Sequence, residues 1–580
     1  MYVPLRVHSN FSFLDGASHP EELLAACQQQ EIAAMALTDA WGVHGMIKAA
    51  LEARRRHMHL IAGAQLTDLP SLSLTLLVQD RSGWKNLCEL LSKRPDLQKP
   101  GKHQDHEILD LLTEHHEGLL LLWEPSRAPR ADLPELLEEL LALFPGRHYC
   151  AIGRHALPDE RIHEALARAL AKKFASPTLA APRVYYHSPQ RRMLHDVLRC
   201  IDRGVRLEQA RAALLPNDTF ALPSRQRIRE VWEDDIASVR RTRGVAMRCK
   251  FDPLALTLPM PDVALAPGET PRATLRRKVS RGGSRRYGAS PPERVRRQVE
   301  HELALISSLD YEGYFLAMAE IVEFCVREGI LCQGRGSAAN SVVCYCLGVT
   351  AIDPLELGLL FERFLSGART DPPDIDLDVM HQRREEVIRF IYSRHGGEHA
   401  AMLCNIVRFR RKLALREVGK VLGFPEDVLG KVGKMIGRGA VVDRELLSRV
   451  HLNPEARRVK LWLALAAQLE GTPRHLSIHP GGFLISREPI RAFVPVQDAA
   501  MEGRTIIQWD KYDVEVLGLF KVDILGLGAL SMLDHALKLL GEQRGEEVGL
   551  ADLPVEDAET YEMLSRGDSL GVFQLESRAQ

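Results

Sequence analysis

The stretch Asp371–Met380 reads DPPDIDLDVM. Side chains alternate between the faces of a strand, so a strand over 373 to 379 turns Asp374, Asp376 and Asp378 to one side. Three like charges on one face repel. A chain keeps such a row only where something offsets the repulsion, and a bound divalent cation is the leading candidate.

The 580 residues are too many for one core, and chains of this length divide into roughly three to five domains. Hydrophobic residues make up 45% and charged residues 26%, an ordinary globular balance, with no run of eighteen apolar residues to span a membrane. The start, MYVPLRVHSNFSF, lacks the basic end and apolar core of a signal peptide, which predicts a cytoplasmic protein. Ten Cys without a C-x-x-C pair exclude a disulfide framework and a structural zinc site, and predict buried thiols. A net charge of −1 means that any nucleic-acid binding must come from local basic surface.

Residues 1 to about 210 alternate short apolar runs (IAAMALTD, LSLTLLVQ, GLLLLWE, HYCAIG) with helical patterns such as HPEELLAACQQQ, which reads as α/β. The Pro-rich stretch from 252 to 271 marks a boundary. Ten Arg and Lys then fall between 272 and 297 against a single Glu, a candidate phosphate-contacting segment. A second basic stretch, RFRRKLALREVGK, carries Arg408, Arg410, Arg411, Lys412, Arg416 and Lys420. On a helix, Lys412, Arg416 and Lys420 form one row able to follow a phosphate backbone. Helical patterns run from about 400 to 475, and strand-like runs return in GGFLIS and TIIQWDKYDVEVLGLFKVDILGL.

Ahead of the aspartates, ILCQGRGSAANSVVCYCLGV reads as strand, tight loop and helix N-terminus, with the Gly336 and Ser337 amides available to hold phosphate oxygens. FERFLSG places Arg363 in an apolar setting, and FKVDILGL puts Lys521 and Asp523 on one face of an apolar strand. Two charged residues facing the same way in such a strand point to a shared site. A carboxylate pair at i, i+2 with a third from a neighbouring strand can hold two Mg²⁺ ions for phosphoryl transfer.

GRGSAANS, LLFERFLSG, PPDIDLD, REVGKVLG, HPGGFLI, QWDKYDVEVLGLFKVDILGL and GVFQLESR resemble, in order and spacing, the bacterial family C DNA polymerases, the polymerase III alpha subunit and its relatives. The resemblance implies a multidomain α/β and α+β chain: a β/α-barrel-like PHP (polymerase and histidinol phosphatase) domain over 1–215, a connecting segment over 216–270, a polymerase-beta-like nucleotidyltransferase palm over 271–400 and 479–545, an inserted helical thumb over 401–478, and the start of the fingers over 546–580. It implies Asp374, Asp376 and Asp523 as catalytic metal ligands, with Asp378 accessory. It further implies Gly336, Ser337, Arg363, Lys521 and His479 near the dNTP, and Lys412, Arg416, Lys420 and Arg410 on primer-template DNA. Ile478 stands before His479 where replicative members carry Lys, which is similar to the error-prone paralogue of damage-induced mutagenesis. Losing that cation is expected to alter nucleotide selection; an Ile478→Lys substitution that changes neither misinsertion nor dNTP affinity would count against this.

Within the PHP-like part, His8, Asp39 and His44 remain, but Asn10 and Gln65 stand where ligands of active members are expected, as do Pro182 and Arg183. Neutral amides and an Arg are poor replacements for anionic ligands, so the resemblance predicts an absent or incomplete PHP metal cluster and little hydrolysis. The chain ends at the start of the fingers, so weak or absent extension by this piece is expected. Contacts with a sliding clamp and accessory mutagenesis proteins would fall to regions beyond it. Three alternatives stay open: a replicative alpha homologue, a PHP-type phosphoesterase, and a DNA- or partner-binding piece inactive by itself.

Overall fold

A computed structural model describes residues 2–67, 69–93, 104–210, 214–263, 265–365, 375–436, 442–546, 548–550, 553, 557–572 and 575. Its strands are β1 (Ala34–Leu37), β2 (His59–Leu66), β3 (Leu72–Val78), β4 (Leu119–Pro125), β5 (His148–Ile152), β6 (Thr178–Ala180), β7 (Cys332–Arg335), β8 (Asp376–Met380), β9 (Ala400–Arg408), β10 (Pro473–Ile485), β11 (Val496–Asp498), β12 (Thr505–Ile507) and β13 (Lys521–Leu527). The chain divides into two compact units. One holds Met1–Leu256, Leu403–Ile478 and Ile490–Leu517; the other holds Thr257–Met402, His479–Pro489 and Gly518–Gln580.

In the first unit, β1 to β6 form a sheet in sequence order, parallel except where β3 runs against β2 and β4. The N-terminal segment closes it. Pro4 and Val7 carbonyls accept from Ala36 and Thr38 on one side, and on the other His8 N–H donates to Val184 while Val184 N–H donates to Arg6. The result is a barrel-like ring, which leaves no open edge at that seam. Its interior is filled by alternate residues such as Leu5, Ala36, Ile61, Leu77, Leu120, Ala151 and Leu179, joined by Val245 and Ala246 from the helix Ile236–Arg248. A second core joins Leu194, Val197 and Leu198 of the helix Arg192–Arg203 to Leu415, Val418 and Trp462 of the helical stretch 411–469.

In the second unit, the end of β10 pairs antiparallel with β13, β13 runs parallel to β8, and β8 pairs antiparallel with β7. The helix Pro271–Tyr287 packs closely on the short helix Val342–Leu347, because Gly282 has no side chain: a Cβ there would stand 1.8 Å from the Cys346 carbonyl oxygen. The ten cysteines are free thiols, all buried except the half-buried Cys332. No helix among the described residues is long and apolar enough to cross a membrane.

The basic stretch from 272 to 297 spends much of its charge internally. Arg276 pairs with Glu300, Arg277 with Glu269, Lys278 with Glu323 and Arg296 with Glu293. Glu269, Glu300 and Glu323 lie outside the window, which is why the sequence count overstated the free charge.

Candidate active site

The acidic face is built by strand register in the second unit. Asp376 begins β8, two residues before Asp378, so both side chains point the same way. Asp376 stands opposite Asp523 on β13 and opposite Arg335 on β7, and Asp523 stands opposite Gly482 on β10. One row across four strands therefore reads Arg335, Asp376, Asp523, Gly482. Asp374 lies outside the described residues, as does residue 373, and among the described residues the strand spans Asp376–Met380.

Each described carboxylate has a protein cation. Lys521 Nζ donates to Asp523 Oδ2 at 2.9 Å, and Arg335 lies 3.2 Å from Asp376 and 3.0 Å from Asp378. Asp523 is only 4% exposed, and its Oδ1 is buried without a hydrogen-bond partner. An orphaned buried carboxylate oxygen is costly, and it marks where a cation would fit. Burial pushes the Asp378 carboxyl pKa up, partly offset by Arg335. Among the described residues no three His, Cys, Asp or Glu are gathered closely enough to hold an ion; Asp376 and Asp523 are a pair.

His479 sits beside this row. Its Nδ1 accepts from Gly482 N–H at 2.7 Å and Gly481 N–H at 3.3 Å, so the neutral ring carries its proton on Nε2, and Asp523 Oδ1 is 3.7 Å away. The HPGG spelling follows from this turn and from close packing: a Cβ on Gly481 would meet the Ile524 carbonyl oxygen at 2.7 Å. Arg384 fixes the same corner by donating to the Ile524 and Pro480 carbonyls.

The glycine loop differs from expectation. Gly336 and Ser337 open a 3₁₀ turn over Gly336–Asn340, and the following helix starts only at Val342. Its N-terminus is already taken: the fully buried Glu302 carboxylate accepts from the Ser341 hydroxyl at 2.7 Å and from the Val342 and Val343 amides at 3.0 Å each. The helix dipole therefore serves Glu302, not an external phosphate. Arg363 is exposed, between buried Phe361 and Phe364, so its side chain is not in the apolar setting its neighbours suggested. Sequence reasoning missed Glu302 and Arg335. Arg335 stood inside the quoted GRGS, and the alternation of β7 opposite β8 is the signal that would have found it.

Several residues at the barrel mouth in the first unit are hydrogen-bonded to one another. His8 sits between Asp15 (2.9 Å) and Gln65 (2.7 Å). Asp39 accepts from the Ser9 amide and from the Ser9 and Ser12 hydroxyls. Asn10 bonds His19, and His44 packs edge-on to Phe13. Arg183 and the buried Arg6 both reach Glu124 Oε2, at 2.7 and 2.8 Å. A cavity of about 1120 Å³ opens here, lined by Asp15, His44, Gln65, Glu124, His155 and Arg183 among others.

His155 stacks on Phe220 at 3.9 Å, and its Nε2 accepts the Arg183 amide at 3.0 Å. Burial, reinforced by the Arg183 charge, lowers its pKa to about 3. The folded state thus binds fewer protons than the unfolded one between about pH 6.5 and 3, so stability rises with pH through that window and is lost as pH falls. His155→Gln is expected to remove roughly 2 kcal/mol of the stability difference between pH 6.5 and pH 5, read from urea midpoints at both values.

On the helix Arg411–Val421, Lys412 and Arg416 are exposed and Lys420 is half-buried; exposed Arg410 caps its start. None of these four has an acidic side chain within ion-pair distance among the described residues. The three row residues, with Lys434, line a cavity of about 340 Å³.

Residues 4–176 match the PHP domain family, 273–526 the bacterial DNA polymerase III alpha NTPase domain, and 529–580 the bacterial DNA polymerase III alpha subunit finger domain, which begins ahead of residue 546. Similar proteins named error-prone DNA polymerase come from Dechloromonas aromatica (41% identical over 588 residues), Alkalilimnicola ehrlichii (41% over 582) and Bdellovibrio bacteriovorus (39% over 595). Each alignment covers 100% of this chain, which spans only 55–56% of those relatives. Among solved structures, an amidohydrolase from Chromobacterium violaceum aligns over 32% of this chain and 88% of its own, at 15% identity and a TM-score of 0.21. A PHP match followed by the NTPase and finger matches of the bacterial DNA polymerase III alpha subunit, in that order, makes the chain similar to that family along most of its length.

Proposed function

We propose that this chain carries the nucleotidyl-transfer centre of a DNA-directed DNA polymerase of the error-prone kind, extending a primer 3′ end with dNMP units from dNTPs. The observation that carries the reading is Asp376 in register with Asp523, whose Oδ1 is buried and unpartnered. Asp376 and Asp523, with Asp374, would hold two Mg²⁺ ions. Bound there, the ions supply Lewis-acid activation of the primer hydroxyl and neutralise the departing pyrophosphate. Lys521, paired with Asp523 at 2.9 Å, adds positive charge near the triphosphate. Gly336, Ser337, Arg363 and His479 are proposed around the same nucleotide; with Glu302 on the helix N-terminus, the phosphate contacts fall to the 3₁₀ turn itself.

Primer-template DNA is assigned to the Lys412, Arg416 and Lys420 row with Arg410, since these cations lack acidic partners among the described residues whereas much of the 272–297 stretch is paired. A Lys412→Ala, Arg416→Ala, Lys420→Ala triple variant is expected to lower the slope of log K against log salt by about 2 to 3, measured by fluorescence anisotropy. Sliding-clamp and accessory-protein contacts are proposed for the part of the relatives that this chain does not span. The test of the whole reading is Mg²⁺-dependent primer extension, with the chain alone and joined to that remaining part. Extension that survives Asp376→Ala in both would refute it.

A further inference from the structure

The two-metal reading leaves one charged residue of the acidic face unused. Arg335 faces Asp376 across the antiparallel β7–β8 pair, and directly opposed residues share a face. Its Nη2 lies 3.2 Å from Asp376 Oδ2 and its Nε 3.0 Å from Asp378 Oδ2. The three side chains grade from open to closed: Arg335 is 52% exposed, Asp376 30% and Asp378 8%. Asp378 is thus the fixed end of the arrangement, and Asp376 the end that solvent and ions reach. A guanidinium is charged at every working pH and cannot vacate the site by losing a proton. It can leave Asp376 only by being displaced.

We propose that Arg335, anchored on Asp378, is a resident counter-ion for Asp376, and that a divalent metal ion must displace it from that carboxylate to bind. The inference rests on the reading of Asp376 and Asp523 as metal ligands. It gives the third aspartate of the motif a task that is not ligation: Asp378 keeps the guanidinium beside Asp376 through the Nε bond while the Nη2 bond opens. It also explains how two carboxylates in adjacent register tolerate each other without an ion. Arg335 neutralises one side of the row and Lys521 the other, so the strands pair before any metal arrives. Metal affinity is the consequence, because every binding event breaks a charge-assisted bond first.

The experiment is Mn²⁺ binding to the 580-residue chain without nucleotide or DNA, with free Mn²⁺ read by electron paramagnetic resonance. Arg335→Met is expected to tighten Mn²⁺ binding roughly fivefold, the size of one partly exposed charge-assisted pair. Arg335→Lys keeps the charge but loses the fork that spans two carboxylates, so it should tighten binding by less, and it decides the matter should the Met variant fail to fold by circular dichroism. An Asp376→Asn, Asp523→Asn variant is the control. Unchanged or weaker Mn²⁺ binding in both Arg335 variants, with binding abolished in the control, overturns this proposal and leaves the metal reading standing. Mn²⁺ binding that survives in the control overturns the metal reading, and this proposal with it.

Discussion

On the proposed metal-ligand role, and with the chain joined to the remaining part of its relatives' length, Asp523→Asn is expected to lower single-nucleotide incorporation by about a thousandfold or more while leaving DNA affinity within about twofold, because the loss would fall on metal-stabilised transition-state charge worth several kcal/mol. Asp376→Asn should do the same. The two differ in stability, which separates a ligand role from a structural one. Asp376 is half-buried beside two other acids, and its partner Arg335 is half exposed and keeps Asp378, so neutralising Asp376 strands no buried cation and the melting temperature should hold or rise. Asp523 is buried against Lys521, whose side chain is 11% exposed, so Asp523→Asn strands a largely buried ammonium and the melting temperature should fall. Quenched-flow incorporation, anisotropy and thermal melting on the same samples read all three. Incorporation within tenfold of the unaltered protein for either variant would falsify the assignment.

Much of that site is legible in the letters, for a definite reason. Period-two alternation states which residues share a strand face, so Asp376 with Asp378 and Lys521 with Asp523 can be paired from spacing alone. Which strands lie side by side is a long-range fact, and it needed family resemblance to bring residue 523 to residue 376. Where a role depends on a partner distant in sequence, local reading went astray. The loop at 336 looked like a free helix N-terminus because Glu302, which occupies it, lies on a helix more than thirty residues earlier. Arg363 looked enclosed because its neighbours are apolar, yet a 3₁₀ turn presents adjacent residues to different sides and leaves it outside. The basic segment at 272 looked free because Glu269, Glu300 and Glu323, which pair with it, fall outside the counted window. The alternating runs gave α/β and the resemblance implied a barrel, but neither showed how it closes: residues 4 to 8 make no long apolar run and act through backbone bonds to both neighbours.

Glu124→Gln is expected to be among the most destabilising single changes in the first unit, by about 3–5 kcal/mol, because it breaks a buried ion triad instead of removing it whole. Arg6 is 1% exposed, and Glu124 Oε2 is its only carboxylate among the described residues, with Ser73 Oγ at 3.3 Å and the Ala181 carbonyl at 3.5 Å as weaker supports. Arg183 shares that oxygen. Burial alone would raise the Glu124 pKa, but Arg183 and Arg6 hold it well below the usual carboxylate range. Its contribution is therefore present above the unfolded carboxyl pKa and is lost only as pH falls below it, so the deficit of the Gln variant should be full at neutral pH and shrink in acid. The two guanidiniums also share Glu124 Oε2, which leaves that oxygen committed to the triad. The deficit of the Gln variant relative to the unaltered protein, read from urea midpoints, should accordingly be the same with a chelator or with added Mn²⁺. The decisive comparison is the triple change Arg6→Met, Glu124→Leu, Arg183→Met. Apolar replacement removes the charges together with their desolvation penalty, so the triple variant should recover most of the stability that Glu124→Gln alone destroys. A triple variant as unstable as the single one would mean that the triad contributes net stability rather than offsetting its own burial.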